Sequence, residues 1–475
     1  MASTAPTASL ALPKTPAWVI NGLIAGFVFL ICWGISIAYW RSTRSAPGSG
    51  EFLACLFVIP LALSFVAWFG ARLILPRIAA SMPVTVAKPA ATPPSPPAVM
   101  PLAIVASALR SPHGASAEEL AAAIAGGKAR ADLDRELIDD EGFPVMAARS
   151  NDANDAALQE EIAEWLAQHG MAALHFSEAQ WRALIMASAV TGDLTLSALG
   201  AFAGAEAGLP RLQLVPVLPL DWHADQRQAA GAWLMHVVER SGWSPESLAL
   251  PAEPLANAGG PIPSAVFRRL AQEAIDKAQP LVAMVVACAS HISQATVDQW
   301  AAEGKLFTSS RPQGLIPGEG AVGLVLTDLE QARAKQLTDV VLLDPVEEAQ
   351  HGVSADDIKR VDPNVLEELT KRAVKRRHID FTEVVMIVAD TGHRSSRVLE
   401  LMGYASVTLP RLDEADNIIC VGVACGSCDT VAFITALALA RHYVLERFGP
   451  VLCVSNEDAR LRQAALIQPD GAGVE

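Results

Sequence analysis

Two long stretches without a single charged residue constrain this chain more than any other feature. "AWVINGLIAGFVFLICWGISIAYW" runs from Ala17 to Trp40, and "FLACLFVIPLALSFVAWFGA" from Phe52 to Ala71. Each reaches the ~20 apolar residues needed to cross a bilayer core. Trp18, Tyr39, Trp40 and Trp68 lie near their ends, where amphipathic rings favour the interface. The first stretch is too long for a cleavable signal peptide, and a second follows at once. Pro60, inside the second, is tolerated by membrane helices better than by soluble ones. Only "RSTRSAPGSGE" joins the two, so they form a hairpin with both ends on one side. Lys14, Arg72, Arg77 and Lys88 flank the outer ends and Arg41 and Arg44 sit in the connection; the positive-inside bias favours cytoplasmic termini. The expectation is a multi-pass protein of a bacterial inner membrane with its soluble domain in the cytoplasm. A tail covers residues 1–16, and the hairpin covers 17–75, with helices at about 17–40 and 52–71.

Residues 76–101 follow as a tether, because the repeated prolines of "SMPVTVAKPAATPPSPPAVMP" favour an extended, poorly folding spacer. The rest of the 475-residue chain is long enough for a large core, and 51% of all residues are hydrophobic. The formal net charge of -15 and the scattered basic residues exclude a nucleic-acid partner, which requires a basic face. The one dense basic run, "KRAVKRRH" from Lys371 to His378, reads as a solvated helix face. Seven cysteines (Cys32, Cys55, Cys288, Cys420, Cys425, Cys428 and Cys453) show no disulfide framework, in keeping with a reducing compartment. Cys425 and Cys428 form a lone C-x-x-C, short of the four ligands of a structural zinc site. They read as packed core thiols. "AGAEAG" at Ala203 to Gly208 lacks the lysine of a phosphate loop, and no P-loop, G-x-G-x-x-G after a strand, H-E-x-x-H or G-x-S-x-G is present, so no cofactor is expected.

From Leu102 onward, apolar runs of strand length alternate with helical patterns, which predicts an α/β architecture. Ser116 followed by Glu119 is a capping-box pattern opening the first helix. An acidic helical segment spans about Asp155 to Gly208. "LQLVPVLPL" and "PLVAMVVACAS" read as buried strands with helices between them. The same style repeats after about residue 336, giving two halves, 102–335 and 336–475.

Four places carry a resemblance to the β-ketoacyl synthases of the thiolase superfamily. "IVASALRSPHGASAEELAAAIAGGKA" is similar to the family's opening strand, loop and helix. "VVACASHISQATVDQWAAEGKLFTSSRPQGLIPGEGAVGLVLTDLEQARAK" follows its late first-half strand and its PGEGA turn, here Pro317, Gly318, Glu319 and Gly320. "VADTGHRSS" stands where the family has HGTGT, and "VGVACGSCDTVAFITALALA" where it has GHTLGAAG. The resemblance implies a thiolase-like five-layer αβαβα fold of two similar halves, and a homodimer. In the PGEG turn two glycines allow close backbone packing, the proline fixes the approach and the glutamate can bond nearby backbone donors.

The family's chemistry requires a cysteine at a strand-to-helix elbow and two histidines. Cys288 has the look of such an elbow, but only about thirty residues separate it from PGEG, which matches a later strand. The nucleophile's place lies upstream, in "ANAGGPIPSAVFRRLAQEAI", near Gly260 or Ser264. Asp390 stands where the first histidine should, and His393 three residues later is expected to be an exposed loop histidine. Val423 stands where the second histidine should, and it cannot donate a hydrogen bond. His113, His223, His236 and His442 form no catalytic spacing and read as surface or capping residues.

The expectation is therefore a membrane-anchored, catalytically degenerate synthase-like protein, a scaffold or recognition module with protein partners in an envelope assembly. A type VI secretion apparatus is one such machine, an association that no motif here specifies. Two alternatives stay open. One is an acyltransferase with a rearranged site in which Cys288 acts with His291 or His393. The other is a non-catalytic acyl-chain or acyl-carrier binder, with Arg376 and Arg377 as the basic contact to an acidic carrier.

Overall fold

The computed structural model describes Trp33 and residues 100–202, 209–250, 263–276, 280–357 and 361–470. Apart from Trp33 the predicted hairpin lies outside the described residues, as do the tether up to residue 99, the 203–208 loop and Gly260. The chain divides into two units, Met1–Ser95 and Pro96–Glu475. Apart from Trp33, every described residue belongs to the second unit.

The second unit opens with β1 (Leu102–Arg110) and α1 (Ala117–Ala125). Ser116 caps α1 by accepting from the Glu119 amide at 3.1 Å, while the Glu119 carboxylate reaches back to the Ala115 amide at 2.8 Å. A hairpin follows, β2 (Asp132–Ile138) and β3 (Pro144–Ala147), which the sequence pattern did not reveal. The segment expected to be acidic and helical is two helices of different character, α2 (Ala156–Gln168) and α3 (Glu178–Phe202). Among the described residues α3 is the one helix long and apolar enough to cross a membrane, but 61% of its most apolar window is buried inside the domain. It is a core helix. Then come β4 (Leu212–Val217), α4 (Ala224–Arg240), β5 (Leu248–Ala249), α5 (Pro263–Ile275), β6 (Val282–Ser290), α6 (Gln294–Ala302), β7 (Glu319–Asp328) and α7 (Leu329–Ala334). The second half holds β8 (Val341–Leu343), β9 (Glu347–Gln350), α8 (Asn364–Arg376), β10 (Met386–Ala389), α9 (Ser395–Thr408) and β11 (Ile418–Cys420). It ends with α10 (Val421–Cys425), α11 (Val431–Arg447), β12 (Val451–Ser455) and β13 (Leu461–Pro469).

Strand order reveals the duplication. The large sheet runs β11-β10-β12-β13-β8-β1-β7-β6-β4-β5, with β9 added beside β13. Leaving aside β9 and the β2–β3 hairpin, each half reads third-second-fourth-fifth-first from its outer edge inward. In each half the fifth strand is antiparallel to its neighbours, β7 to β6 and β1, and β13 to β12 and β8. The halves meet where β1 pairs with β8, Leu102 opposite Leu343.

Side-chain alternation sorts the core into layers, because successive residues of a strand face opposite sides. Along β6, Ala283, Val285, Ala287 and Ala289 face a cluster that also holds α1, α5 and α11. The intervening Val282, Met284, Val286 and Cys288 face α3 and α4. In β10, Met386 and Val388 join the first cluster, while Ile387 and Ala389 pack under α8 and α9. The central cluster takes strands from both halves. Three helical layers thus sandwich two stretches of sheet, the five-layer arrangement expected.

Candidate functional site

A cleft of about 570 Å³ opens where strands end and helices begin. Its wall takes Pro219, Leu220 and Asp221 from beyond β4, His291 from beyond β6, and Asp390, Gly392, His393 and Arg394 from beyond β10. Ser455, Glu457 and Asp458 come from the end of β12, Pro263 from the first turn of α5, and Ala432 and Phe433 from that of α11. Ligand sites of α/β sheets form at such carboxyl ends, since the loops there converge on a fixed scaffold. The PGEG turn supports this rim from behind. A Cβ on Gly318 would lie 2.0 Å from the Cys425 carbonyl oxygen, and one on Gly422 would lie 2.4 Å from that of Asp390. These glycines let three loops touch backbone to backbone.

The titratable groups of the cleft are held in distinct states. His291 meets Trp300 at a tilt of 47° with ring centroids 4.9 Å apart, and its Nε2 lies 3.4 Å from a carboxylate oxygen of Asp429. Burial opposes a charge on this imidazole, but the Asp429 hydrogen bond and charge, with Asp221 nearby, lift its pKa above the ordinary histidine value. His393 is shifted the other way: burial dominates and holds its pKa low. Its Nε2 is buried without a hydrogen-bond partner, and Phe307 meets the ring edge-on. Asp390 is buried, and burial pushes its pKa up to about 6 against the pull of the Ser455 hydroxyl and the Asn456 amide. Arg394 is clamped by Glu457, 2.7 Å, and Asp356, 2.9 Å.

The structure redistributes the residues singled out in the sequence. His291 and His393 line one cleft, so His393 is not the exposed loop histidine expected. Cys288 does not join them. It is an even-parity residue of β6 whose side chain faces α3 and α4, and burial pushes its thiol up to about 12. The cysteine that lines the cleft is Cys428, passed over in the sequence as a core thiol, and burial holds it well above the usual thiol range. Ser264 is in the first turn of α5 but points away from the cleft. Its hydroxyl donates to Glu348, its amide donates to Gln463 at 3.1 Å, and it is Pro263 that lines the cleft. Asp390 lines the cleft; Val423 is exposed on α10 and its neighbour Gly422 lines the cleft instead. Glu319 bonds the Ser150 amide at 2.7 Å, but its main partner is a side chain, Arg182. Arg376 and Arg377 are not a free basic patch, because Glu347 and Asp344 pair with them. Trp300, Asp221 and Asp429 carried no signal in the sequence, being isolated polar or aromatic residues that only the fold assembles. Among the described residues no group of metal-binding side chains occurs.

No protein-family model matches this sequence, and neither does any curated protein sequence. Solved structures do match in three dimensions. The ketosynthase from module 6 of the bacillaene synthase of Bacillus subtilis 168 superposes with a TM-score of 0.53 at 12% identity, covering 78% of this chain and 72% of that one. The oxazolomycin ketosynthase domain of Streptomyces albus JA3453 gives 0.53 at 12%, covering 79% and 75%. A β-ketoacyl synthase from Burkholderia phymatum STM815 gives 0.52 at 12%, covering 78% of this chain and 99% of that one. The fold is a ketosynthase fold. At such identity the likeness concerns architecture alone, and what the cleft does must be argued from its own residues.

Proposed function

We propose that this chain is a membrane-anchored protein of ketosynthase fold that does not condense acyl groups and serves as a scaffold or recognition module in an inner-membrane assembly. One observation carries the reading: at the first turn of α5, where a condensing enzyme needs its thiol, the residue facing the cleft is Pro263. Proline offers no nucleophile. The thiols nearby are unsuited to replace it, because a thiolate is the reactive form and burial keeps Cys428 and Cys288 protonated. The cleft itself is retained, which favours recognition over mere loss of function. The anchor rests on the two charge-free segments Ala17–Trp40 and Phe52–Ala71. A secretion machine and a homodimer are the assembly context and the oligomer this reading proposes.

The reading in which an acidic acyl carrier docks at Arg376 and Arg377 is weaker, since both arginines are already paired within the domain. The test is intact mass of the detergent-solubilised full chain after incubation with acyl-carrier and acyl-CoA thioesters, beside Cys288→Ala and Cys428→Ala. No adduct, with full labelling of a ketosynthase control, is expected. An adduct abolished by either substitution would make the protein an acyltransferase.

A further inference from the structure

We infer that the cleft binds a small organic cation, a primary ammonium or guanidinium group on an apolar body. The inference rests on the non-condensing reading above and names what such a cleft would recognise. Its volume, about 570 Å³, falls in the range of small-molecule pockets. Its apolar surfaces come from Leu220, Trp300, Leu315, Phe433 and Leu461. Among its ionisable groups carboxylates, which accept hydrogen bonds, are in the majority.

Asp221, Asp390, Asp429, Glu457 and Asp458 line the cleft against a single arginine, Arg394, which is already held by Glu457 and Asp356. His393 adds to them. Its buried Nε2 has no partner, and when the neutral ring carries its proton on Nδ1 that nitrogen is an acceptor. Opposing charge is limited. A protonated His291 supplies one unit, and the amino ends of α5 and α11 supply about half a unit each. The carboxylates still outnumber them. A buried acceptor left empty is costly, so a donor-rich cationic head is the complement. Trp300 and Phe433 can also face a cation with ring π-density. The same charges repel the phosphates of coenzyme A.

Isothermal titration of the detergent-solubilised full chain with phenethylamine, N-acetyl-arginine amide, 2-phenylethanol, phenylacetate and coenzyme A tests this. The amine or the arginine derivative should bind, and 2-phenylethanol, phenylacetate and coenzyme A should not. Tighter binding of free phenethylamine would indicate a metabolite; tighter binding of the arginine derivative would indicate a partner's side chain. Asp429→Asn should weaken the amine about tenfold or more, the loss of one charge-assisted hydrogen bond. Asp221→Asn, an exposed change that leaves the fold intact, should weaken it less but measurably. Failure of both cations to bind at millimolar concentration, or equal binding of phenylacetate, would overturn the inference. An acyl adduct on the same preparation would instead overturn the non-condensing reading, so the two failures are distinguishable.

Discussion

Arg182 on α3 grips Glu319 at the start of β7 with two parallel bonds, Nε to Oε2 at 2.9 Å and Nη2 to Oε1 at 2.6 Å. Both side chains are buried, and the carboxylate also accepts from the Ser150 amide at 2.7 Å and the Ser290 hydroxyl at 2.8 Å. One glutamate therefore ties an outer helix, the segment after β3, the end of β6 and the PGEG turn into one unit. Glu319→Gln would leave the Arg182 guanidinium buried without its counter-charge, which typically costs about 3–5 kcal/mol. Denaturant unfolding of the purified full chain should show that loss, and a change below about 1 kcal/mol, the scale of an exposed pair, would mean water reaches the site.

Gly318 makes a sharper prediction because its crowding is backbone against backbone. An added Cβ would lie 2.0 Å from the Cys425 carbonyl oxygen and 2.8 Å from the Gly426 Cα. No side chain can swing aside, so the turn and the loop before α11 must separate. Gly318→Ala should destabilise by about 3 kcal/mol, the upper end of overpacking effects. Gly352→Ala, where an added Cβ meets nothing within 4 Å, is the matched control and should change stability by less than about 0.5 kcal/mol. Equal effects at the two positions would refute the close crossing.

The thiols should be inert. Burial pushes Cys288, Cys420 and Cys425 up to about 12, and Cys428 well above its ordinary value. At pH 8 the thiolate fraction of each is then negligible, and alkylation follows the thiolate. Native iodoacetamide treatment followed by peptide mapping should leave all four unmodified, while the denatured chain takes label at each. Pro263→Cys would place a thiol in the cleft at the positive end of a helix, which lowers a thiol's pKa. That variant should be labelled at position 263 under native conditions. Rapid native labelling of Cys428 would show that its protection is not burial and would reopen a catalytic role.

How much of this was legible in the sequence depends on whether a residue acts through local pattern or through assembly. The long continuous strands β6 and β7 and the helices α4, α5, α8 and α11 could be read because periodicity and length are local properties. The β2–β3 hairpin was not, since its exposed faces break strict alternation: Leu133 and Phe143 stand in solvent. The spacing of Cys288 from PGEG argues against a catalytic role, and strand parity adds a physical reason that spacing alone does not contain. Sequence pattern points to the neighbourhood of Ser264 for the missing nucleophile, but a helix turns 100° per residue, so Ser264 and Pro263 face different surroundings. His393 was misjudged for a similar reason. A loop histidine's burial depends on what packs over it, and Phe307 comes from a segment 86 positions earlier, which no local pattern records.

The cleft's two raised groups predict a pH signature in separate windows. Burial favours the protonated form of Asp390 below about pH 6, its pKa moved from 3.8 to about 6. A carboxyl whose folded pKa is raised binds its proton more tightly when folded, so its stabilising contribution is complete below about pH 4 and is lost as pH rises through 6. The loss is on the order of 2–3 kcal/mol. His291 is also raised, despite burial, by Asp429 and then Asp221. Its contribution is complete below 6.5 and is lost only as pH rises through its higher folded value. Unfolding free energies measured from pH 4 to 8 should therefore fall in the lower window for the wild type and fall less there for Asp390→Asn. His291→Gln should flatten the upper window and leave the lower one unchanged. If Asp390→Asn keeps the full wild-type slope between pH 4 and 6, the carboxyl is ionised throughout that window and its raised pKa is wrong.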